Sequence, residues 1–408
     1  MTIRILVAER GPMASHLHKS LRATAAETVA IDAGTEPEPP YMDDADYAMV
    51  VPSLNRVQDV VSAALDAGCD AVHPGVGPDA ESPDLARACM EANLGYLGPM
   101  PEQIAALADR WTTREIAIAA GVPVVPGSGQ IFNLPELEEP VKRLGYPIWV
   151  KDAWGLEAAL AKNDAQLAHL VRERIHSGQQ CWVEAHIPRA RHVVVSFVGD
   201  EDGEVVPLGV RDRALRHMGK LSVDRFPAPI GEDLAATLEA ATVTYAEAVR
   251  FTGVGSVGFL VDDTGGAHCI GLRPRLDVGA LLNDSVHGMR LAELQLRMAA
   301  GDDLGWERED LEPKGHAVGI RLRAQERGIL KAWSAPEDVA LHTHLAVGSV
   351  AAGLIGVLVV QGPTAQACVV RSVAAVRDLE CEGVDIGRDR LVAALSDARF
   401  WSGEILTS

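Results

Sequence analysis

The pattern of apolar and polar positions predicts alternating strands and helices over roughly the first hundred residues. Short apolar runs such as "IRILVA", "ETVAID" and "YAMVV" are bounded by turn residues, as expected for strands. Apolar residues at three- and four-residue spacing between these runs predict helices near 13–23, 57–67 and 83–92. This alternation is typical of a parallel sheet with helices on both faces.

The pattern changes after a helix predicted at 101–120 and the turn-rich segment "GVPVVPGSG". From residue 134 to about 198 a small α+β unit is predicted, with strands such as "YPIWVKDA" and "CWVEAHI". Longer strands follow, with helices predicted near 234–251, 291–300, 364–379 and 388–398. We therefore predict α/β and α+β architecture in three domains, at 1–110, 111–200 and 201–408.

One predicted strand, "CIGLRPRLDVG" (269–279), carries an unusual set of residues. Period-two alternation would place on one face Gly271, Arg273, Arg275, Asp277 and Gly279. Two arginines and an aspartate on one face resemble an active site, whereas the glycines contribute no functional group. The residues alone leave open whether this is a catalytic face or the remains of one.

Composition excludes several classes of protein. The 408 residues are 48% hydrophobic but only 4% aromatic, so aliphatic side chains and alanine must build the cores of the predicted domains. Lys and Arg number 37 against 57 Asp and Glu, a net charge of −20. That charge repels nucleic-acid phosphates and anionic membranes, so we expect neither as a partner.

The lack of a recognisable signal peptide or membrane span and the spacing of the cysteines indicate a cytoplasmic protein. No apolar run reaches about 18 residues, and the first strand is too short and too quickly followed by an acid to be a signal peptide. The six cysteines are scattered singly, with no CxxC pair. Buried, reduced thiols are therefore expected in place of disulfides or zinc ligands.

Two short motifs suggest a ligand but favour a structural interpretation. "GVGSVG" (253–258) matches GxGxxG, yet a helix is predicted before it and a strand after it, the reverse of a dinucleotide turn. His342 and His344 would share one face of a strand and could share a metal. No third ligand is apparent, so we favour exposed or hydrogen-bonded histidines.

Two basic features of the sequence each allow a functional and a structural interpretation. Lys151 ends a predicted buried strand, where its ammonium group either contacts an anion or simply extends along the surface. The segment 210–220 concentrates basic residues in an acidic chain: Arg211, Arg213, Arg216, His217 and Lys220. Such a cluster either binds carboxylates or phosphates or forms internal ion pairs with Asp212 and Asp224.

Residues 70–129 resemble the biotin carboxylase component of acyl-CoA carboxylases, an ATP-grasp family. The blocks that carry the resemblance are "HPGVG", "GPMPEQI" and "AGVPVVPGS". The resemblance continues through "ILVAERG", "GYPIWVK", "VEAHIPRARHV", "VRDR" and "FPAP", and so covers nearly the whole chain. It implies a three-domain fold. It also implies a reaction in which ATP and bicarbonate give carboxyphosphate, whose carbon dioxide passes to carrier-bound biotin with the help of two magnesium ions.

The resemblance marks several retained groups. Lys151 and Arg110 stand for the two ATP-contacting lysines, Glu184 is the acid of the nucleotide-hinge strand, and His192 is kept. Arg275 is the retained active-site arginine, and Lys220 belongs to the segment where the family binds substrate anions. The phosphate-covering glycine run is replaced by "DAWGLEAAL", with a single glycine, so we expect at most weak ATP binding.

The resemblance also places residues that cannot do the family's chemistry at key positions. Gly258 and Gly271 replace the magnesium-binding glutamates, and Gly279 replaces the base. Further replacements are Arg273 for an asparagine, Asp277 for a glutamine, Gly319 for a glutamate and Ala340 for the arginine beside biotin. Hard cations require oxygen ligands, so no magnesium site is expected and we assign no catalytic residue.

Three hypotheses follow. The first is a non-catalytic, biotin-carboxylase-like subunit with a structural or regulatory role in an acyl-CoA carboxylase assembly. It would form homo- or heterodimers and contact a carboxyltransferase, a biotin carrier protein or an active biotin carboxylase. The alternative is a divergent, active ATP-grasp ligase that uses Arg110, Lys151, Glu184, Arg216, Lys220, Arg275 and Asp277. The third is a sensor that binds an organic anion through Arg273, Arg275 and Lys220.

Overall fold

The N-terminal region contains the predicted parallel sheet. The computed structural model describes residues 2–35, 37–153, 158–217, 220–302 and 311–404. The first five strands are β1 (Arg4–Val7), β2 (Glu27–Asp32), β3 (Tyr47–Val50), β4 (Ala71–His73) and β5 (Gly95–Tyr96). They pair in parallel in the order β3-β2-β1-β4-β5. The helices that connect them are α1 (Ala14–Arg22), α2 (Tyr41–Asp44), α3 (Val57–Asp66) and α4 (Pro83–Glu91).

The single helix predicted at 101–120 is wrong, because the chain forms two helices there. These are α5 (Pro101–Ala108) and α6 (Arg110–Ala119). Asp109 between them has extended backbone angles, and its carboxylate accepts a hydrogen bond from the backbone N–H of Trp111. Asp109 is therefore the N-cap of α6, a position that favours aspartate. The break places Arg110 in the first turn of a new helix.

A small three-stranded sheet follows, as predicted. Its strands are β6 (Ile148–Asp152), β7 (Ala159–Ala161) and β8 (Cys181–Ala185), in the order β7-β6-β8. Helices α7 (Glu138–Leu144) and α8 (Asp164–His176) accompany it, and buried Ile148, Val150, Leu167 and Val183 form its core. The segment predicted to replace the phosphate-covering loop includes Gly155, which lies outside the described residues.

An eight-stranded antiparallel sheet is the largest sheet among the described residues. The remaining strands are β9 (Arg191–Gly199), β10 (Val205–His217), β11 (Lys220–Phe226), β12 (Gly253–Val261), β13 (Ala267–Arg273), β14 (His316–Ile329), β15 (Ala332–Ser334), β16 (Ala340–Thr343), β17 (Val350–Gly362) and β18 (Glu380–Glu382). The central sheet has the order β13-β12-β9-β10-β11-β14-β17-β16, while β15 pairs with β18. Because β9 pairs with β10 and β12, this sheet begins before the division predicted at residue 200.

The remaining helices cover the central sheet and join it to the N-terminal domain. They are α9 (Glu232–Ala248), α10 (Ala280–His287), α11 (Leu291–Ala299), α12 (Ala365–Asp378), α13 (Arg388–Ser396) and α14 (Ala398–Ser402). α9 precedes β12, so "GVGSVG" opens a strand after a helix, as the sequence predicts. Buried side chains of α1, α10 and α11 share one apolar core, which includes Leu17, Leu281 and Leu294.

The predicted strand at 269–279 ends earlier than its alternating pattern suggests. β13 stops at Arg273, and Gly279 is the N-cap of α10. A register irregularity lies beside Gly258 in the β12–β13 pairing, and Gly271 has a φ of +130°. Alternation on one face therefore does not extend through Asp277. The predicted single face is replaced by a bulged strand end followed by a loop and a helix.

The histidine of the "HPG" block joins two domains. His73 ends β4 and is fully buried, with Nε2 3.3 Å from Oε1 of Gln295 on α11. Its Nδ1 accepts a hydrogen bond from the backbone N–H of Gly75. Burial lowers the pKa of His73 to about 4, so the ring is neutral at physiological pH. The role of this histidine is therefore to hold the turn and the interdomain contact.

The cysteines are free thiols, as their spacing predicts. All six cysteines are free: five are buried and Cys381 is half-buried. Burial raises the pKa of Cys89 to about 12, as expected for an inert structural thiol. Within the described ranges, no helix is both long enough and apolar enough to cross a bilayer.

A buried ion cluster fixes the register of β9, β10 and β11. Asp212 on β10 accepts hydrogen bonds from Arg191 Nη1 at 2.6 Å and from Arg225 Nη2 at 2.8 Å. All three side chains are almost fully buried. One carboxylate thus neutralises guanidinium groups on both neighbouring strands.

We predict that Asp212→Ala lowers the free energy of unfolding by about 3–5 kcal/mol, because it leaves two buried guanidinium groups without their shared carboxylate. The matched control is Asp338→Ala, which removes an exposed carboxylate paired with Arg371. The control should cost at most about 1 kcal/mol. Urea unfolding measures both values, and equal losses would contradict the assigned role of Asp212.

Candidate functional site

Three of the predicted site residues lie around one cavity. Arg110 opens α6, Lys151 lies near the end of β6, and Glu184 lies on β8. Together with Arg114, Trp182, Gly271 and other residues they line what we call the hinge cavity. The fold therefore brings together three residues that are distant in sequence.

The carboxylate of Glu184 is neutralised by neighbouring side chains. Its Oε1 accepts hydrogen bonds from Trp182 Nε1 at 2.8 Å and Arg114 Nη1 at 3.1 Å. Lys151 Nζ lies 3.7 Å from Oε2. Because Glu184 is also buried, its oxygens are engaged by the protein itself and face little solvent.

The hinge cavity is too small for a nucleoside. Its volume is about 30 Å³, against roughly 300–1,000 Å³ for ordinary small-molecule pockets. The rings of Trp111 and Trp182 pack edge to face beside it, with centroids 5.4 Å apart. The backbone N–H of Arg110 donates to the carbonyl of Ala153 at 2.9 Å, which ties α6 to the three-stranded domain. The two sides of the cavity are thus held together by direct contacts.

Arg114 and Trp182 were not among the site residues predicted from the sequence. Arg114 follows Arg110 by four residues, so both side chains project from the same face of α6. That spacing was available as a signal once Arg110 was chosen. A larger cavity, of about 280 Å³, lies between β10 and α9 and is lined by none of the predicted site residues.

The two glycines predicted to replace metal ligands face each other. Gly258 on β12 pairs directly with Gly271 on β13, and we call these residues the glycine pair. A Cβ atom at Gly258 would lie 3.0 Å from Cγ1 of Ile270, and a side chain at Gly271 would be strained by its positive φ. Among the described residues, no group of three or more His, Cys, Asp or Glu could hold a metal ion. Neither residue of the glycine pair carries a side-chain oxygen that could bind a metal ion.

The carboxylate of Asp277, a candidate residue of the active-ligase hypothesis, is already paired. Its two oxygens lie 3.0 and 3.1 Å from Nη2 of Arg211. Arg213 Nη2 lies 3.9 Å away. Burial alone would raise the pKa of Asp277, but the positive charges of Arg211 and then Arg213 hold it well below its usual range. The negative charge of Asp277 is thus balanced by two arginines.

Arg211 occupies the space at the position predicted to have lost the base. This side chain is fully buried, and a Cβ atom built on Gly279 would overlap its guanidinium group. The network continues through Asp224, whose Oδ2 lies 3.6 Å from Arg211 and 2.7 Å from Arg321. The ion-pair interpretation of the segment 210–220 therefore applies to Arg211, and glycine at 279 is required by the packing.

Arg273 and Arg275 contact an acid that the sequence analysis missed. Glu81 Oε1 accepts from Arg275 Nε at 2.8 Å and from Arg273 Nη1 at 2.9 Å. Arg275 also donates to the carbonyl of Val76 at 2.9 Å. Burial raises and the two arginines lower the pKa of Glu81, with a net decrease. These contacts are salt bridges to the N-terminal domain, and the acid in "DAESP" was the available signal.

The remaining predicted residues lie in separate surroundings. His192 on β9 borders the glycine pair, with Nε2 3.5 Å from a Cβ atom built on Gly258. Lys220 begins β11 and is exposed, as is Ala340 at the start of β16. His342 contacts the ring of His16, with centroids 5.3 Å apart, and burial lowers the pKa of His342 to about 3. His342 and His344 are both half-buried.

Comparison with known protein families gives two matches. Residues 1–104 match the biotin carboxylase N-terminal domain. Residues 109–306 match the ATP-binding domain of the carbamoyl-phosphate synthase L chain. The two matches adjoin where the structure passes from α5 to α6.

Similar curated proteins are named as biotin carboxylases or their subunits. "Biotin carboxylase 2" of Bacillus subtilis is 26% identical over 437 residues, with 100% of this chain and 98% of the relative covered. The "Biotin-dependent acyl-coenzyme A carboxylase alpha3 subunit" of Mycobacterium leprae is 27% identical over 412 residues, which cover 93% of this chain and 69% of that protein.

Similar solved structures confirm the expected three-domain ATP-grasp fold. The biotin carboxylase domain dimer of Hydrogenobacter thermophilus 2-oxoglutarate carboxylase, in complex with MgADP, ADP and bicarbonate, gives a TM-score of 0.92 at 25% identity. The match covers 100% of this chain and 96% of that one. Campylobacter jejuni biotin carboxylase gives 0.94 at 22% identity, covering 100% and 98%, and supports the fold alone.

We predict that Gly279→Ala lowers the free energy of unfolding by about 3 kcal/mol, because the added methyl group displaces the buried guanidinium of Arg211. Gly129→Ala is the matched control, since a Cβ atom there meets no heavy atom within 4 Å. The control should change stability by no more than about 0.5 kcal/mol. Chemical denaturation measures the free energy of unfolding of both variants. A Gly279→Ala protein as stable as the wild type would contradict the assigned packing.

Proposed function

We propose that the chain is a non-catalytic member of the biotin carboxylase family with a structural or regulatory role in an acyl-CoA carboxylase assembly. The observation that carries the proposal is the glycine pair, which lies where the family is expected to bind magnesium. Charge on a transferring phosphoryl group requires such stabilisation, and removing it costs orders of magnitude in rate.

Two further observations support the loss of activity. The hinge cavity, at about 30 Å³, has no room for the nucleoside of ATP while Arg114 and Trp182 hold Glu184. At the position of the expected base, Gly279 lies against the guanidinium of Arg211, which leaves no space for a carboxylate side chain. These losses involve separate elements, so no single neighbouring residue replaces them.

The alternative is a divergent, active biotin carboxylase or ligase that uses ATP and bicarbonate. Two observations favour it. The Bacillus subtilis relative, 98% of which is covered, is named a biotin carboxylase, and Arg110, Lys151 and Glu184 share one cavity. On this alternative, opening of the cleft would have to release Glu184 from Arg114. Magnesium would also need ligands that the glycine pair does not provide.

The proposed partners follow from the relatives. The Hydrogenobacter domain is described as a dimer, and the Mycobacterium relative is named as a subunit of an acyl-coenzyme A carboxylase. We therefore propose homo- or heterodimers in the cytoplasm, with a carboxyltransferase, a biotin carrier protein or an active biotin carboxylase as the assembly partner.

The purified chain should show no bicarbonate-dependent ATP hydrolysis with free biotin and magnesium. We expect a rate at least about a thousandfold below that of an active enzyme such as Bacillus subtilis biotin carboxylase 2, assayed in parallel. Release of inorganic phosphate measures both proteins. Turnover comparable to the Bacillus enzyme would overturn the proposal and establish the alternative.

Restoring glutamate at both positions of the glycine pair should not restore carboxylation. In the double variant Gly258→Glu, Gly271→Glu, the side chain at position 258 meets Ile270. Residue 271 has a positive φ, which is strained for any residue other than glycine, and Gly279 still lacks a carboxylate. The same phosphate-release and biotin carboxylation assays apply, with circular dichroism to verify folding. A folded double variant that carboxylates biotin would show that metal ligands alone were missing.

The tagged chain, expressed in its native cell, should copurify with a carboxyltransferase, a biotin carrier protein or an active biotin carboxylase. Streptavidin detection and mass spectrometry identify these partners. A matched control is the same tag on an unrelated acidic protein, because a net charge of −20 favours nonspecific capture of basic proteins. Recovery of a partnerless homodimer would count against the assembly role while leaving the loss of activity intact.

A further inference from the structure

The strand β3 is far more exposed than the other long strands of the N-terminal sheet. Every residue of β4, and all but the first residue of β1 and of β2, is buried. In contrast, three of the four residues of β3 are exposed, and Val50 is 70% exposed. Parallel sheets are normally covered on both faces. β3 is therefore a part of this sheet that lacks such a cover.

The outer edge of β3 carries none of the features that usually prevent an edge strand from pairing with another. β3 pairs with β2 on one side, and no described strand pairs with its other side. Its sequence, "YAMV", contains no charge and no proline, and its register with β2 has no irregularity. Charges, prolines and bulges are the usual means of blocking an edge, whose free N–H and C=O groups otherwise bind a further strand. The edge of β3 is thus able to accept one.

Charges of opposite sign remain at the two ends of β3. At its start, Asp44 and Asp46 are paired with bases of α1, whereas Asp43 is exposed. At its end, Arg56 is exposed, as is Arg10, which donates a hydrogen bond to the loop after β3. Within the described ranges, neither arginine forms an ion pair, and neither does Asp43. The start of β3 therefore has an excess of negative charge and its end an excess of positive charge.

This distribution of charge favours a second copy of the same strand as the occupant of the edge. A two-fold axis perpendicular to the sheet makes two copies of β3 antiparallel, so the start of one lies beside the end of the other. Opposite charges then meet at both ends of the paired strands. With the axis at Met49, the five apolar residues 47–51 of each copy face one another, and Ala48 lies opposite Val50 of the second copy.

We propose that the edge of β3 docks onto β3 of a second copy of this chain, so that the two N-terminal sheets join into one continuous sheet with five strands from each copy. The inference rests on the proposed formation of dimers and deepens it, because it names the surface. Main-chain hydrogen bonds along the edge supply affinity, as in other cases of strand addition. Pairing also removes the exposed side chain of Val50 from water.

Paired charge substitutions at Ala48 and Val50 test the surface and the register together. Both positions are exposed, so their substitution leaves the core intact. In Ala48→Lys, Val50→Lys, lysines oppose lysines at two symmetric places, and the dissociation constant of the dimer should rise roughly tenfold or more. In Ala48→Glu, Val50→Lys, each glutamate opposes a lysine of the second copy, so the dimer should be retained. Sedimentation equilibrium of the full chain over a range of concentrations measures these constants.

The matched control is Val370→Lys on α12, because Val370 is also an exposed valine, at 64%, and lies outside the N-terminal sheet. This variant should form dimers as the wild type does, and thermal melting verifies that each variant is folded.

Three results would overturn the proposal: a monomeric wild type, a lysine–lysine variant that forms dimers like the wild type, or a glutamate–lysine variant that dissociates as readily as the lysine–lysine variant. A chain that uses β3 to bind a different protein gives the first result. The second leaves the proposed dimer in place but locates its interface elsewhere. The phosphate-release assay decides the question of catalysis independently of all three.

Discussion

The centre of this protein depends on the fully buried guanidinium group of Arg211. Burial of a charge without a partner costs several kcal/mol, so such a group must be neutralised in place. Asp277 supplies two hydrogen-bonded oxygens from the loop before α10, and Asp224 supplies a third contact from β11. Arg211 thereby joins β10, β11 and the start of α10. Gly279 is the complement of this arrangement, because no other residue leaves space for the guanidinium.

This constraint links two positions at which the resemblance predicts a glutamate and the sequence has glycine, 279 and 319. A glutamate at 279 would have to displace Arg211, and Arg211 in turn pairs with Asp277. Gly319 is fixed in a similar way, since a Cβ atom there would lie 2.6 Å from Leu282 on α10. The packing around α10 therefore favours glycine at both positions. A larger side chain at either one would require coordinated changes in the residues packed against it.

Much of the fold could be predicted from the sequence, whereas little of the site geometry could. Periodicity was sufficient for β1 and α1, because local pattern determines which face is buried. It missed the break at Asp109, where a side-chain cap outweighs helix propensity. It also extended the strand at Gly271 too far, since a positive φ leaves no mark in a pattern of polar and apolar residues. The contacts of Glu81 are long-range and depend on tertiary packing.

The small volume of the hinge cavity is a matter of packing. Its walls include Trp182 and the Arg114–Glu184 pair, and the backbone hydrogen bond from Arg110 to Ala153 ties α6 to the three-stranded sheet. A nucleoside requires a preformed pocket of roughly 300 Å³ or more. Movement of the three-stranded sheet away from α6 would therefore have to break both the ion pair and the backbone hydrogen bond before such a pocket could form.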